Sequence, residues 1–217
     1  MNIINKASAK RPLYLLTITL LCQPTVAADM LEEIVVTAQK RAESLQDTPV
    51  AVTAFTAATI ESYGMDNISQ IAEFTPNMTF DTTAPISGVS SGAVVFIRGI
   101  GQTDFSLTTD PGVGTYIDDV YSSRSIGGVL DVLDVERIEV LRGPQGTLFG
   151  RNTIGGAISI TSRRPAEELG VDLEMTLGNF NRQDFRGAIQ LPIGDTLRTS
   201  LAVSSKQRDG YVDRELR

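Results

Sequence analysis

The chain has no histidine and a single cysteine, Cys22, so most familiar side-chain chemistry is closed to it. Zinc centres of the usual kind need His and Cys ligands, and Ser-His-Asp or Cys-His catalysis needs a histidine base. Carboxylates, lysine and tyrosine remain. Asp118-Asp119 is the conspicuous acidic pair, but no second pair stands at a spacing that would set two carboxyl groups across a substrate. It reads as a solvated turn rather than a metal or acid–base centre. The run Gly146-Thr147-Leu148-Phe149-Gly150-Arg151-Asn152-Thr153 looks superficially like a phosphate loop. It lacks the GxxxxGK[ST] order and contains no lysine, so nucleotide binding is set aside. No cofactor is expected, and the composition leans against an enzyme.

The N-terminus carries an address. Lys6, Lys10 and Arg11 precede the ten-residue apolar run Leu13 to Cys22, and Val26-Ala27-Ala28 supplies small residues ahead of Asp29. This is the pattern of a secretory signal peptide cleaved after Ala28. The apolar run is too short for a membrane span, which needs about 20 residues. A lipoprotein signal ending at Cys22 is the alternative, but Leu21 stands where a small residue would be expected. Removing residues 1–28 takes away the only cysteine, and with it any disulfide. It leaves 16 basic against 26 acidic residues, a net charge of −10. That balance argues against nucleic acid, whose binding rests on many Lys/Arg–phosphate contacts.

Three textures follow. Residues 29–47 hold a short β-branched core, Ile34-Val35-Val36-Thr37, between charged flanks, extended and with nothing beside it to bury against. It reads either as a disordered leader or edge strand, or as a segment that adds to a partner's sheet edge through backbone hydrogen bonds. Residues 48–165 read as one α/β (α+β) unit with a mixed short sheet and short helices. Strands are expected at Pro49–Ala54, Asn77–Phe80, Ala93–Arg98, Gly114–Val120, Arg137–Leu141 and Ala157–Thr161. Helices are expected at Ala57–Tyr63, capped by Thr56 and ended by Gly64, and at Ile68–Phe74, capped by Asn67 and stopped by Pro76. Asp81–Gly92 and the Gly/Arg-dense joins, including the stretch from Arg142 to Gly156, are expected as loops. Residues 166–217 change to period-2 alternation: 171–177, a second run with Phe185, Gly187, Ile189 and Leu191 on one face, and a third with Leu197, Thr199, Leu201 and Val203. Strands of about 9–11 residues joined by turns suit a transmembrane β-barrel, although a soluble meander has the same alternation.

Taken together, these segments resemble TonB-dependent outer-membrane receptors of the iron-complex type. Glu33-Ile34-Val35-Val36-Thr37-Ala38 is similar to the family's TonB box. The motifs TPVAV, ISQIAEFTPNMTF, FIRGIGQ and GVGTYIDDVY then follow in the family's order. The block VERIEVLRGPQGTLFGRNTIGGAISITSRRP at 135–165 is the most specific. The resemblance implies a signal peptide (1–28), a TonB box and linker (29–47), a plug domain (48–165) and the first antiparallel strands of an incomplete barrel (166–217). It implies an outer-membrane receptor whose plug gates the lumen and faces the periplasm, and whose TonB box pairs with TonB. A ferric siderophore is the implied ligand; haem, cobalamin and oligosaccharides are the other family substrates, and the lack of histidine disfavours a haem contact on the plug.

Within that frame Arg98, Arg142 and Arg151 are candidate plug–barrel anchors, because a guanidinium can hold a carboxylate bidentately. The alternative for each is a solvated charge or a pair with Asp118, Asp119, Glu136 or Glu139. Gly99, Gly143, Gly155 and Gly156 are candidate structural glycines, and the loops 81–92 and 101–112 candidate ligand contacts. With no domain between signal peptide and TonB box, a transcription-coupled receptor is not expected. About three strands are present where a barrel of this family needs about 22, so a clipped receptor or a truncated frame is expected. The competing reading is a soluble periplasmic binding domain that does not transport.

Overall fold

The computed structural model describes residues 34–84, 92–103, 109–123, 133–194 and 196–210. The signal-peptide expectation, Glu33, and the central parts of the two candidate ligand loops lie outside the described residues. In chain order the elements are β1 (Val35–Val36), β2 (Glu43–Ser44), β3 (Val52–Thr56), α1 (Ala57–Ser62), a 3-10 helix (Ile68–Gln70), α2 (Ile71–Phe74), β4 (Met78–Asp81), β5 (Val94–Ile97), β6 (Ile100–Gly101), β7 (Val113–Ile117), β8 (Val120–Ser122), β9 (Val135–Arg142), α3 (Gly146–Phe149), β10 (Gly156–Ser162), β11 (Gly170–Gly178), β12 (Arg182–Ile193) and β13 (Leu197–Gln207). All lie in one contact unit, Glu33–Arg217.

The centre is a five-stranded sheet in the order β3-β9-β10-β7-β8. Only β10 and β7 run parallel; the other pairs are antiparallel. Over 138–141 of β9 and 156–160 of β10 every residue is buried, as in strands covered on both faces. Ile138, Val140, Ile158 and Ile160 enter one core with Phe55, Ile60, Ile68, Ile71 and Ile97. Leu141 and Ala157 point the other way, into a second core with Val36, Ala38, Tyr116 and Phe149. The first face is covered by the helices and by the antiparallel meander β4-β5-β6.

Local signals place the covering elements. The Thr56 side chain accepts from the Thr59 N–H and starts α1, while Asn67 and Gln70 form a capping box on the 3-10 helix. Ile68–Phe74, expected as one helix, divides into the 3-10 turn and α2. Gly114–Val120 is not one strand. Asp118 and Asp119 take φ of +48° and +66° and form the two-residue loop of the β7–β8 hairpin, with Ile117 opposite Val120. The Asp118 carboxylate accepts from Ser162 N–H and hydroxyl at 2.8 Å each, which ties the turn to β10. Within the glycine-rich stretch expected as loop, Gly146–Phe149 closes one helical turn, and Phe149 is buried.

β11, β12 and β13 form a separate antiparallel sheet. Leu173, Met175 and Leu177 are 66–70% exposed, and Phe185, Leu201 and Val203 join them on the outer face. On the opposite face Asp184 and Gln190 are buried. The expected alternation is present, with its apolar side outward. No helix among the described residues is long and apolar enough to cross a membrane, which says nothing of strands.

Candidate functional site

Residues 34–45 are neither a leader nor free of neighbours. They close a small hairpin in which Val35 pairs with Ser44 and Val36 with Glu43, and Leu45 N–H donates to Ile34 C=O at 2.9 Å. Lys40, at φ +57°, turns the chain and donates to Thr37 C=O at 2.7 Å. The expectation that this segment had nothing to bury against is therefore corrected. The second face of the central sheet is apolar and needs a cover, and this hairpin supplies it. Val36 and Ala38 are 0% and 1% exposed against Tyr116, Leu141, Phe149 and Ala157. Tyr116 stacks edge-on against Phe149 with ring centroids 5.0 Å apart, and its hydroxyl donates to the Phe149 carbonyl. Burial, and secondarily Tyr121, raises the Tyr116 hydroxyl above its ordinary pKa. Lys40 Nζ lies 5.4 Å from the Phe149 ring centroid.

A buried carboxylate interrupts this apolar layer. Glu139 on β9 is fully buried, and its Oε1 accepts from Thr37 N–H at 2.7 Å, Thr37 Oγ1 at 3.2 Å and Arg137 Nε at 2.8 Å. Arg137 Nη2 also donates to Thr37 Oγ1 at 3.1 Å, and its Nη1 meets Glu136 at 2.6 Å. Glu139 Oε2 is buried without a hydrogen-bond partner.

The candidate anchors sit elsewhere. Arg98 has φ +53°, donates its N–H to Asn77 C=O at 2.9 Å, and passes its guanidinium beside Gly143. Arg142 N–H donates to Ala51 C=O, and its Nε is buried without a partner. Arg151 lies 3.6 Å from Asp110, both largely exposed. Among the described residues none of the three pairs with β11–β13. Gly99, Gly143 and Gly156 have positive φ, and a Cβ at Gly155 would stand 2.8 Å from the Ile100 carbonyl oxygen. Gly156 is the tightest of these four: a Cβ there would lie 2.2 Å from the Leu141 carbonyl oxygen.

Ionic contacts between the central unit and the strand sheet run in both polarities: Arg163 Nη1 lies 4.0 Å from Asp172 of β11, while the tighter cluster has its carboxylate on the central unit. Asp66, between α1 and the 3-10 helix, holds Arg186 Nη2 at 2.6 Å and Arg182 Nη2 at 2.9 Å, both from β12. Its backbone carbonyl accepts from Arg186 at 3.3 Å and from Lys206 of β13 at 3.2 Å. Arg182 also binds Asp184 at 2.6 Å, and Arg186 lies 3.6 Å from Glu174. Burial pushes the Asp66 carboxyl up, but the Arg182 hydrogen bond and the charges of Arg186, Arg182 and Lys206 outweigh it and hold the pKa below its ordinary value. Beside this cluster lies a cleft of about 500 Å³ lined by Glu61, Asp134, Arg163, Asp172 and Glu174 among others. The sequence reading missed Asp66; the available signal was Arg182 and Arg186, four apart and so on one face of a strand. No group of three or more His, Cys, Asp or Glu suited to a metal exists among the described residues.

Comparison with known proteins places this arrangement. A family model described as TonB-dependent Receptor Plug Domain matches residues 44–157, more than half of the chain. The chain belongs to the TonB-dependent receptor plug family. The mixed five-stranded sheet with its short helices is the plug, and β11–β13 are the antiparallel strands that follow it. The chain is 28% identical over 167 residues to the ferrioxamine B receptor of Salmonella typhimurium LT2, an alignment covering 77% of this chain and 23% of that protein. It is 26% identical over 171 residues to the catecholate siderophore receptor Fiu of Escherichia coli K12, covering 77% and 21%. In structure it resembles the pyoverdine receptor FpvA of Pseudomonas aeruginosa PAO1, with a TM-score of 0.66 at 19% identity over 82% of this chain and 25% of that one. At that identity the likeness shows the fold. The chain spans about a quarter of the length of these relatives. Family membership places it with receptors rather than enzymes.

Proposed function

We propose that this chain is the N-terminal part of an outer-membrane receptor that imports a scarce, bulky nutrient, most simply a ferric siderophore, using energy delivered by TonB. In this reading residues 1–28 direct export, 29–47 couple to TonB, 48–165 plug the lumen, and 166–217 begin the barrel. The ferrioxamine and catecholate receptors among its relatives support the choice of ligand. The observation that carries the proposal is the hairpin at Ile34–Ser44. A strand-forming segment lies on the plug, paired along one edge by only two residues of β2, with Val36 and Ala38 as apolar pegs. Such a segment can leave as a unit and pair with another sheet edge, because strand addition uses backbone groups that any extended sequence carries.

The other parts take supporting roles. The outward apolar face of Leu173, Met175, Leu177, Phe185 and Leu201 suits lipid, whereas a soluble domain would carry it as an aggregation hazard. Arg98, Arg142 and Arg151 remain candidate anchors for barrel carboxylates. Asp66 with Arg182 and Arg186 supplies a further plug–strand contact. Deleting Glu33–Ala38 from the complete receptor is expected to abolish energised uptake and leave ligand binding at the cell surface intact. Loss of both would mean that the segment is structural, and retained uptake would remove its coupling role.

A further inference from the structure

We infer that Glu139, oriented by Arg137, is the clamp that holds the coupling segment against the plug and sets how often that segment is available to its partner. This rests on the reading of Ile34–Ala38 as the coupling segment and adds the residue that governs it. Glu139 shares its sheet face with Leu141 and Ala157, a layer in which a carboxylate is costly to bury. Its Oε1 takes three donors, two of them from Thr37. Its Oε2 takes none. The carboxylate is therefore satisfied on one side only, and the hairpin supplies most of that satisfaction.

The arrangement has two acceptable states. With the hairpin docked, Thr37 N–H and Oγ1 serve the carboxylate. With the hairpin away, the same face opens to water, which can serve both oxygens, including the one left unpaired when docked. An apolar side chain at 139 would have no such compensation on opening. Arg137 stays with Glu139 in either state, because both lie on β9 two residues apart, and it fixes Oε1 toward Thr37. Glu139 is thus a positioning residue whose contact breaks without unfolding the sheet. A partner that binds only the undocked segment sees an affinity lowered by the fraction undocked, so weakening the clamp raises apparent affinity.

The test uses the full-length receptor in outer-membrane vesicles, with every native cysteine of the mature protein replaced by serine and a single probe, Ala38→Cys, at a position 1% exposed when docked. Maleimide labelling of this thiol reports undocking. Glu139→Gln, which removes the charge, and Thr37→Val, which removes the hydroxyl, are each expected to speed labelling by about tenfold, the scale of one hydrogen bond to a charged group. The double variant is expected to fall short of the product of the single effects, because the hydroxyl that Thr37→Val removes bonds the carboxylate that Glu139→Gln neutralises. A control thiol at Ile158→Cys in the other core is expected to label no faster. Unchanged labelling at 38, full additivity, or equal acceleration at 158 would each overturn the clamp. Binding of the isolated periplasmic domain of TonB is measured on the same variants and is expected to tighten by the same factor. If labelling behaves as expected but that domain binds neither the parent nor the variants, the clamp stands and the coupling reading fails.

Discussion

Replacing Asp66 by Asn keeps the shape of the plug–strand contact and removes its charge. The consequence follows from who is left. Arg182 still has Asp184 at 2.6 Å, so little is assigned to it. Arg186 is the sensitive partner: its side chain is 16% exposed, and beyond Asp66 its nearest carboxylate is Glu174 at 3.6 Å. A hydrogen bond to a charged group contributes about 1.5–3 kcal/mol. The Asp66 carboxylate is about a third exposed, and solvent screening reduces that toward about 1–2 kcal/mol. The expected result is amide hydrogen exchange about 5- to 30-fold faster across residues 65–71, after correction for intrinsic rates, where the 3-10 helix is pinned to β12. The pH dependence has a definite sign. The folded-state pKa of Asp66 is lowered, so the contact contributes fully above the ordinary Asp value of about 3.9 and is lost as pH falls through the lower folded value. The parent is expected to lose protection in this segment below about pH 4 and to approach the variant, whose own profile lacks the step. Equal exchange at neutral pH, or the same acid step in both proteins, would refute the assignment.

Two further pairs of substitutions test the packing of the sheet and the outward face of β11. Gly156→Ala sets a Cβ 2.2 Å from the Leu141 carbonyl oxygen, a backbone atom in the paired strand, so β9 and β10 must shift apart. A loss of about 3 kcal/mol or more is expected from the thermal midpoint, against about 1–2 kcal/mol for Gly64→Ala, where the backbone is at φ +62° but the space is open. Leu173→Lys puts a charge on the outward face of β11, at a position 70% exposed. If that face meets lipid, the yield of heat-modifiable, membrane-inserted receptor falls, corresponding to about 2–4 kcal/mol near the bilayer centre. Glu174→Gln on the opposite face is expected to insert as the parent does.

What could be read from the sequence was what neighbours along the chain decide. Thr56 and Asn67 cap helices through bonds to residues two or three positions away, and β11–β13 follow from alternation alone. What could not be read depends on partners far along the chain. Thr37 meets Glu139 across 102 positions, and Asp66 meets Arg182 and Arg186 across 116 and 120. A short β-branched segment looks the same whether it waits in solvent or covers a sheet. Only the apolar second face of β9 and β10 decides between these, and that face is visible once the strands are paired. The split of 114–120 into a hairpin was concealed differently. Asp-Asp is not among the strongest two-residue loop signals, yet aspartate tolerates the left-handed region, and here both residues occupy it.

The central claim is that Ile34–Ala38 leaves the plug and adds as a strand to TonB. The direct measurement is a disulfide cross-linking scan in energised cells, with single cysteines at each of positions 34–38 against cysteines along an edge strand of TonB's periplasmic domain. The account expects cross-links that alternate along the segment with a period of two, strengthen with ligand, and vanish at every position when Pro replaces Val36. Efficient uptake with no cross-link anywhere in the segment, or cross-links indifferent to that Pro, would contradict it.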